Sequence, residues 1–471
     1  MKNKLPLLIL LASLKALLSD AQLFTDLHSG FPTLTGASTA WADYDNDGLP
    51  DFALIGFSGV TAELSQIYHN DGGGTFSIAY VMFFKVSSGA VSWGDYDHDG
   101  DFDLMLNGQN GGGGPVAVTT IARNDGAGLF IEITGTIPGV IGVTRWIDYD
   151  GDGWLDVLSC GLGASLTADS TRLFHNNMNG TFTEIPSNLP GYQASDISIV
   201  DFDNDSDMDF FITGGTISAT TFPVTKLYQN DGIGNFTEVP FAFANLSTGT
   251  SKWADYDNDG DMDVLYDGID STFGMGITLL YRNDNAGNFT LITTNLPGSG
   301  EPGSVDWADI DNDGDLDILL GNPMALLRND GGNIYTDISQ IDFPESVPNS
   351  FSDIDNDGDP DILFVGTNGG FNSSTIFRNE NVNAIDQISN QIDFAVSPNP
   401  TIDKFMISFT SVQNQIIEIK IIDVFGQDVF YSKVENTSHQ IVFNSTTFSK
   451  GVYFVKVSDG KKLLIKKLII N

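Results

Sequence analysis

The sequence predicts an all-β protein, a seven-bladed β-propeller followed by a small Ig-like β-sandwich, and three observations support this. A nine-residue acidic motif occurs seven times, and its copies start 44 to 54 residues apart. A second motif, an Asn-Asp-Gly-like turn sequence after a short apolar run, follows each copy. From residue 394 the repeats stop, and short apolar strands carry six acids and nine lysines. Repeats of about 50 residues without helical periodicity are typical of propeller blades.

The acidic motif has Asp at its positions 1, 3, 5 and 9 in every copy and Gly at position 6 in six of the seven copies. Four carboxylates this close repel one another unless a cation offsets their charge. Hard oxygen ligands at alternate positions, with Gly where the loop turns, suit calcium. An EF-hand loop would end in Glu at position 12, but that position is Leu54 in the first copy and Leu106 in the second. The motif therefore indicates a metal-binding loop inside a β-hairpin.

Each unit is predicted to contain four strands. The acidic loop joins the first strand to the second, and the third strand ends at the Asn-Asp-Gly hairpin signal, after which the fourth begins. The seventh unit lacks a fourth strand, whereas residues 23–27 resemble one. We expect this N-terminal segment to complete the last blade, which removes an open sheet edge.

Tryptophan occurs two residues before the acidic loop in five units. Such regular placement in the first strand indicates buried core rather than a sugar-stacking platform. The five residues are Trp41, Trp93, Trp146, Trp253 and Trp307.

The repeats resemble those of the FG-GAP and VCBS repeat proteins, which include the propellers of integrin α-subunits. The resemblance covers about residues 22–380, and the acidic loop is its specific element. It implies that the Asp side chains at positions 1, 3, 5 and 9 and the backbone carbonyl at position 7 bind Ca²⁺, with up to seven ions, one per blade. In the first three loops the implied ligands are Asp43, Asp45, Asp47, Leu49, Asp51, Asp95, Asp97, Asp99, Asp101, Asp103, Asp148, Asp150, Asp152, Trp154 and Asp156. In the other four loops they are Asp201, Asp203, Asp205, Asp207, Asp209, Asp255, Asp257, Asp259, Asp261, Asp263, Asp309, Asp311, Asp313, Asp315, Asp317, Asp353, Asp355, Asp357, Asp359 and Asp361.

Three loops depart from the common pattern. Ser206 replaces Gly at position 6 of the fourth loop, where a positive φ would be strained, so we expect a weaker site there. Pro50 and Pro360 occupy position 8 of the first and seventh loops, which removes a backbone N–H donor.

The chain has 471 residues with 62 acidic and 21 basic side chains, and its formal net charge is −41. No basic stripe is present to meet phosphates, so we expect no nucleic-acid partner. The single cysteine, Cys160, rules out an internal disulfide framework and is expected to be a buried thiol. Residues 1–21 have two lysines before an apolar run and end in Ser-Asp-Ala, which predicts a secretory signal peptide cleaved after Ala21. No later segment is apolar enough to span a bilayer, so we expect no transmembrane segment in the mature chain.

The C-terminal part is predicted to contain a polar linker, 381–393, and a sandwich domain, 394–471. The sandwich strands are predicted at 404–409, 416–424, 429–432, 440–443, 452–457 and 463–470. This domain resembles the type A C-terminal sorting domain of the type IX secretion system of Bacteroidetes, with its Ser-Pro-Asn-Pro sequence from Ser397, its Lys450 to Val457 strand and its basic end from Lys466. The resemblance implies recognition by the type IX machinery and delivery to the outer cell surface or the medium. Whether the domain is then cleaved for release or used for anchoring stays open.

The predicted function is binding or adhesion at the cell surface, toward a glycan or a protein. The five histidines show no metal or triad spacing, and we interpret His69 and His175 as surface residues of the turns. Because near-identical acidic loops in every blade suit a structural role better than catalysis, we predict that the protein is not an enzyme. The alternative is a polysaccharide-acting lyase or glycoside hydrolase, since catalytic carboxylates could lie among the many acids.

The ligand is expected on the face opposite the calcium loops. There, the loop after the second strand differs most among the units, which is how binding faces are often built on a shared scaffold. These loops are residues 58–66, 109–119, 162–170, 216–224, 269–276 and 368–374, with only 322–325 in the sixth unit.

Overall fold

The computed structural model divides the chain into two compact units, Met1–Asn381 and Val382–Asn471, and we describe each by itself. The predicted signal peptide, 1–21, and the predicted linker, 381–393, lie outside the described residues. The described residues are 24–59, 63–111, 116–126, 128–163, 169–215, 223–270, 274–285, 287–299, 303–340, 343, 349–368, 371–372, 374–380, 394–397, 401, 404–409, 416–423, 428–435, 440–445, 448, 450–458 and 463–470.

The first unit is built from antiparallel sheets, and none of its described residues lies in an α-helix. The chain enters through β1 (Phe24–Asp26). Sheet 1 contains β2 (Thr35–Ala42), β3 (Asp51–Phe57), β4 (Glu63–Gly72) and β5 (Thr75–Val81). Sheet 2 contains β6 (Val91–Gly94), β7 (Asp103–Asn110), β8 (Val116–Asn124) and β9 (Phe130–Thr134). Sheet 3 contains β10 (Val140–Ile147), β11 (Asp156–Gly163), β12 (Asp169–Asn176) and β13 (Phe182–Ile185).

The remaining sheets of this unit repeat the pattern. Sheet 4 contains β14 (Gln193–Val200), β15 (Asp209–Gly215), β16 (Val224–Gln229) and β17 (Thr237–Glu238). In sheet 5 the first strand is split into β18 (Leu246–Ser247) and β19 (Ser251–Ala254), followed by β20 (Asp263–Asp270), β21 (Met275–Asn283) and β22 (Phe289–Leu291). Sheet 6 contains β23 (Val305–Ala308), β24 (Asp317–Gly321), β25 (Met324–Asn329) and β26 (Tyr335–Asp337). Sheet 7 contains β27 (Asn349–Ser352), β28 (Asp361–Phe364) and, after the short hairpin of β29 (Thr367–Asn368) and β30 (Phe371–Asn372), β31 (Thr375–Asn379).

These sheets follow one another around a closed ring. The first strand of each sheet contacts the first strand of the next, through β2, β6, β10, β14, β19, β23 and β27, and β27 contacts β2 in turn. β1 pairs antiparallel with β31, with Phe24 opposite Asn379, so the N-terminal strand completes sheet 7 as predicted. Four-stranded antiparallel sheets in a ring are the arrangement of a β-propeller, and the all-β fold predicted from the sequence is confirmed.

The core of the ring lies between neighbouring sheets. One apolar cluster joins Val143 and Leu158 of sheet 3 to Ile197 and Phe210 of sheet 4, and all four side chains are buried. Burial of this kind on both faces of every sheet gives the near-continuous apolar second strands seen in the sequence.

The tryptophans of the first strands pack in or against this core. Trp146 is buried, with 8% of its surface exposed, as predicted, whereas the other four are only partly buried against the clusters between sheets. Two of them also bond to the preceding sheet, because the indole N–H of Trp93 donates to Ala40 O at 3.0 Å and that of Trp146 to Ser92 O at 3.2 Å. A third, Trp41, donates to Ser350 Oγ at 2.9 Å and so links sheet 1 to sheet 7.

The second unit is a β-sandwich. One sheet has the order β32 (Phe394–Ser397), β33 (Lys404–Phe409), β36 (Gln440–Asn444), and the other has the order β35 (Asp428–Glu435), β34 (Ile416–Asp423), β37 (Gly451–Ser458), β38 (Leu463–Ile470). A single apolar cluster, which includes Phe405, Ile419, Val455 and Leu468, packs between the two sheets. The six predicted strands agree with the structure to within three residues at each end, whereas β32 was not predicted.

Candidate metal centres

In every sheet of the ring, the acidic loop joins the first strand to the second. Two of its carboxylates accept hydrogen bonds from backbone N–H groups of the same loop. In loop 1, Asp43 Oδ1 accepts the N–H of Asp47 at 3.0 Å, and Asp43 Oδ2 accepts the N–H of Gly48 at 2.9 Å. The Asp47 side chain in turn accepts the N–H of Leu49 at 2.8 Å. The bond from the N–H at position 6 to the Asp at position 1 recurs in all seven loops at 2.9–3.2 Å. These bonds hold positions 1 and 5 on the same side of a tight turn.

Position 6 of each loop has a left-handed backbone. The φ angle is +89° to +96° at the six glycines and +76° at Ser206. Residues with a Cβ rarely adopt this conformation, so the strain expected at Ser206 is present in the fold. That the fourth site binds metal more weakly stays a prediction.

Position 9 lies at the start of the second strand and is buried. Asp51 is 0% exposed, and its Oδ2 accepts the N–H of Tyr44 while its Oδ1 accepts the N–H of Asn70. All seven sheets have this pair of bonds, with lengths of 2.8–3.4 Å from position 2 and 2.6–2.8 Å from the Asn. Since the Asn opens the second sequence motif, position 9 connects the two motifs that the sequence shows separately.

Position 3 presents a carboxylate oxygen that no protein group satisfies. Among the residues that the structure describes, its Oδ1 is buried and accepts no hydrogen bond in six loops, at Asp45, Asp97, Asp150, Asp203, Asp311 and Asp355. In loop 1 one oxygen each of Asp43, Asp45 and Asp47 lie within 4.8 Å of one another. A buried carboxylate oxygen without a partner is costly, and a cation would supply that partner. The donors are hard oxygens, so the residues fit calcium.

Burial and mutual repulsion raise the pKa values of these carboxyls. At position 9 burial is the main cause, and it raises the pKa of Asp51 to about 6, of Asp317 to about 7 and of Asp103 to about 8, although backbone N–H donors oppose it. At position 3 burial and then the charge of Asp47 raise the pKa of Asp45. A bound cation favours the ionised form instead, so protons and metal compete for the loops.

The Asn that opens the second motif was predicted only as a turn residue, but it is buried and joins neighbouring sheets. The Nδ2 of Asn124 in sheet 2 donates to Tyr44 O of loop 1 at 2.8 Å. The Nδ2 of Asn70 in sheet 1 donates to Ile354 O of loop 7 at 2.8 Å, which carries the same contact across the closure of the ring. The fixed order of the two motifs in every unit was the only sequence signal for this contact.

His69 and His175 are partly exposed, but each lies beside an acidic loop in a group that could hold a metal ion, so the expectation that the histidines show no metal spacing is wrong for these two. His69 Nδ1 lies 3.3 Å from Asp45 Oδ2 and 3.2 Å from Asp51 Oδ1, and its side chain is 26% exposed. His175 Nδ1 lies 3.4 Å from Asp150 and 3.3 Å from Asp156. The residue before the turn Asn points back at the acidic loop because the third strand runs beside the second, and the sequence spacing alone does not show this.

Two sequence families match the chain. The family described as FG-GAP-like repeat matches residues 43–106, 148–212 and 273–320, and each match contains at least one acidic loop. The family described as secretion system C-terminal sorting domain matches residues 395–471. The chain is an FG-GAP-like repeat protein with a C-terminal sorting domain. Both resemblances drawn from the sequence are thereby confirmed.

The sorting domain determines the export of the FG-GAP-like repeat protein. Domains of this family direct their chains to type IX secretion, so the protein is exported to the cell surface or released, and residues 395–471 interact with the secretion machinery. Within the described part of the chain, no helix has the length and apolar character needed to cross a membrane.

Among solved structures, the chain is similar to the crystal structure of the biofilm matrix protein Bap1 of V. cholerae. The two are 11% identical, with a TM-score of 0.26, and the match covers 93% of this chain and 66% of that chain, which is just under two thirds. No curated protein matches the FG-GAP-like repeat protein significantly.

The loops expected to bind a ligand are only partly described. They follow the second strand, so they lie at the strand ends away from the acidic loops. Strands extend into several of them, since β7 reaches Asn110 and β8 begins at Val116. Their central residues, 60–62, 112–115, 164–168, 216–222, 271–273, 369–370 and 373, lie outside the described residues.

Proposed function

We propose that this FG-GAP-like repeat protein is a secreted or cell-surface calcium-binding propeller that acts as a binding or adhesion module for a glycan or a protein. The observation that carries the calcium assignment is the buried, unpartnered Oδ1 at position 3 in six loops. Calcium there would satisfy the oxygen and offset the charge of four neighbouring carboxylates. Its role would be structural, because the loops close the hairpin of each sheet.

Equilibrium dialysis of the full-length protein against calcium tests the metal assignment. We expect several bound ions per chain, up to one for each of the seven loops. Asp45→Asn should remove about one of them, because it weakens the central ligand of loop 1. Asp71→Asn is the matched control, since Asp71 is an exposed residue of the nearby turn that bonds Ser77 and lies outside the loop. Absence of bound calcium at about 1 mM, the weak end of extracellular calcium sites, would contradict the assignment.

The proposed binding role rests on a difference between the loops at the two ends of each sheet. The acidic face repeats almost identically, whereas the opposite loops differ from sheet to sheet in length and sequence. A rigid scaffold with varied loops suits recognition of a partner. We propose that a glycan or protein binds on the varied loops.

A glycan and protein array probed with the full-length protein tests this role. Specific retention that survives washing supports the proposal, and shortening the 216–222 loop or the 164–168 loop should reduce it. The same glycans should show no new reducing ends or unsaturated sugars after incubation, since we propose no enzymatic activity. Turnover that a single carboxylate substitution abolishes would instead identify a polysaccharide-acting enzyme.

A further inference from the structure

Position 4 of the acidic loop belongs to no metal-ligand set, yet it makes the contacts between one loop and the next. The residue lies in the left-handed region, with φ between +57° and +67° in all seven loops. This conformation turns the side chain out of its own loop and toward the following sheet. Asn46 of loop 1 donates from Nδ2 to Asp101 Oδ1 of loop 2 at 3.0 Å and to Gly100 O at 3.5 Å.

The same contact recurs around the ring. Asn204 of loop 4 reaches Gly260 O of loop 5 at 3.3 Å, and Asn258 of loop 5 reaches Gly314 O of loop 6 at 3.5 Å. Asn312 of loop 6 and Asn356 of loop 7 bond in the same way to the carbonyl at position 6 of loops 7 and 1.

His98 of loop 2 makes the equivalent contact with a different side chain. Its Nε2 lies 2.7 Å from Gly153 O of loop 3, and its ring stacks on Trp154 with centroids 4.2 Å apart. The contact therefore depends on a donor at this place rather than on asparagine as such.

One joint in the ring has no such donor. Loop 3 has Gly151 at position 4 and so has no side chain to reach loop 4. Loop 4 is also the loop in which Ser206 replaces Gly at position 6, the position that supplies the acceptor carbonyl elsewhere. The two departures from the repeat lie on opposite sides of the same joint, so the loops form an open series that starts at loop 4 and ends at loop 3.

We propose that the side chain at position 4 is a positioning residue for the metal site of the following loop. This proposal rests on the calcium assignment made above. Position 4 lies between two ligand positions, 3 and 5, of its own loop. Its hydrogen-bond acceptor is the carbonyl of position 6 in the following loop. Position 6 is adjacent to position 7, whose own carbonyl is an implied metal ligand. Metal in one loop fixes the donor and metal in the next fixes the acceptor, so occupancy of the two sites is coupled. Coupling of this kind acts in both directions. This coupling is absent between loops 3 and 4, because Gly151 has no side chain to make the contact.

Hydrogen exchange measured by mass spectrometry over a series of free calcium concentrations tests the coupling in the full-length protein, because it gives a separate midpoint for each loop. Asn258→Gly keeps the positive φ of loop 5 but removes its link to loop 6. We expect the midpoint of loop 6, which carries no substitution, to rise about three- to tenfold, the size of one hydrogen bond, while the midpoint of loop 3, at the far end of the series, changes least. Asn258→His should restore the midpoint of loop 6, since His98 makes the equivalent contact from loop 2.

Two further variants complete the test. Asn285→Gly is the matched control, because Asn285 has φ +93° in the turn of the same sheet and lies outside the loop series. Gly151→Asn should supply the missing link and lower the midpoints of loops 3 and 4. If the wild-type loops respond to calcium but loop 6 titrates alike in Asn258→Gly and Asn285→Gly, the coupling is refuted. If no wild-type loop responds and dialysis shows no bound ion, the calcium assignment itself fails.

Discussion

Asn283 shows how one buried amide connects three parts of the ring. Its backbone N–H donates to Asp263 at 2.7 Å, and its Nδ2 donates to Phe202 O of the preceding sheet at 2.7 Å and to Met262 O at 3.3 Å. The residue is 0% exposed. Water cannot replace these bonds without opening the contact between sheets, so the amide contributes more to stability than an exposed one would.

Replacing this side-chain amide should therefore destabilise the folded protein. We expect Asn283→Ala to lower the free energy of unfolding by about 2–4 kcal/mol, because two backbone carbonyls lose their donor in a buried place. Asn288→Ala is the control, since Asn288 is an exposed residue of the same turn whose side chain donates to Asn285 O. Urea unfolding of both variants in calcium measures the difference, and equal midpoints would contradict the role given to Asn283.

Cys160 offers a second measurement at this scale. Its thiol is buried in β11, lies 3.2 Å from Tyr192 O, and has a pKa that burial raises to about 11. Because the reactive species is the thiolate, we expect the native thiol to react with Ellman's reagent orders of magnitude more slowly than in urea. Rapid reaction of the folded protein would show that sheets 3 and 4 separate readily.

At the residue scale, the sequence predicts where the acidic side chains cluster, but it does not predict the residues that bond to them. The recurring Asp residues are visible because they lie close together in one loop. The turn Asn and His69 are 12 or more residues in the chain from the loop Asp residues that they contact, and the residues at position 4 contact another sheet. No local pattern reports such contacts.

The acidic loop is the element whose stability depends most on solution conditions. The pKa of Asp317 is about 7 and that of Asp103 about 8, compared with about 4 for Asp in an unfolded chain. The folded, metal-free loops thus hold protons that the unfolded chain releases. Their contribution to stability is complete below about pH 4 and is lost as the pH rises through 7 and 8.

Without calcium, we therefore expect the melting temperature to fall steadily between pH 5.5 and pH 8. With calcium it should instead rise or stay level over the same range, because deprotonated loops bind the ion more tightly. Differential scanning fluorimetry in EDTA and in calcium measures both curves. Curves that coincide at pH 8 would show that the ion does not stabilise these loops.

Elements were predicted best where pattern and length agree. The second strands are buried, apolar and bounded by the acidic loop, so β7 and its equivalents were evident. β32 was missed because four residues beside a polar linker carry too little periodicity. Its place is decided by pairing with β33, which is a tertiary contact.

At the scale of the whole ring, closure depends on a strand of three residues. Phe24 is 1% exposed and packs edge-on against Phe343 at 5.6 Å between ring centroids. The neighbouring Asp26 accepts a hydrogen bond from Thr375 Oγ1 at 2.6 Å in β31. The sequence predicted this closure because the last unit was one strand short, whereas the contacts between loops 7 and 1 could not be foreseen.

Phe24→Ala should weaken the closure. We expect a loss of about 3–5 kcal/mol, typical of a buried Phe, and earlier proteolysis near the start of the ring. Thr25→Ala, an exposed change in the same strand, should have little effect. Urea unfolding and limited proteolysis of the two variants test this, and matching cleavage patterns would mean that β1 contributes little.

The pairing of β1 with β31 also sets an order of events during export. A chain that crosses a membrane from its beginning delivers residue 24 early and residue 379 more than three hundred residues later. β1 therefore stays unpaired until β31 emerges, so the ring cannot close before nearly all of the domain has crossed the membrane. Sheet 7 is therefore the last sheet of the ring that can be completed.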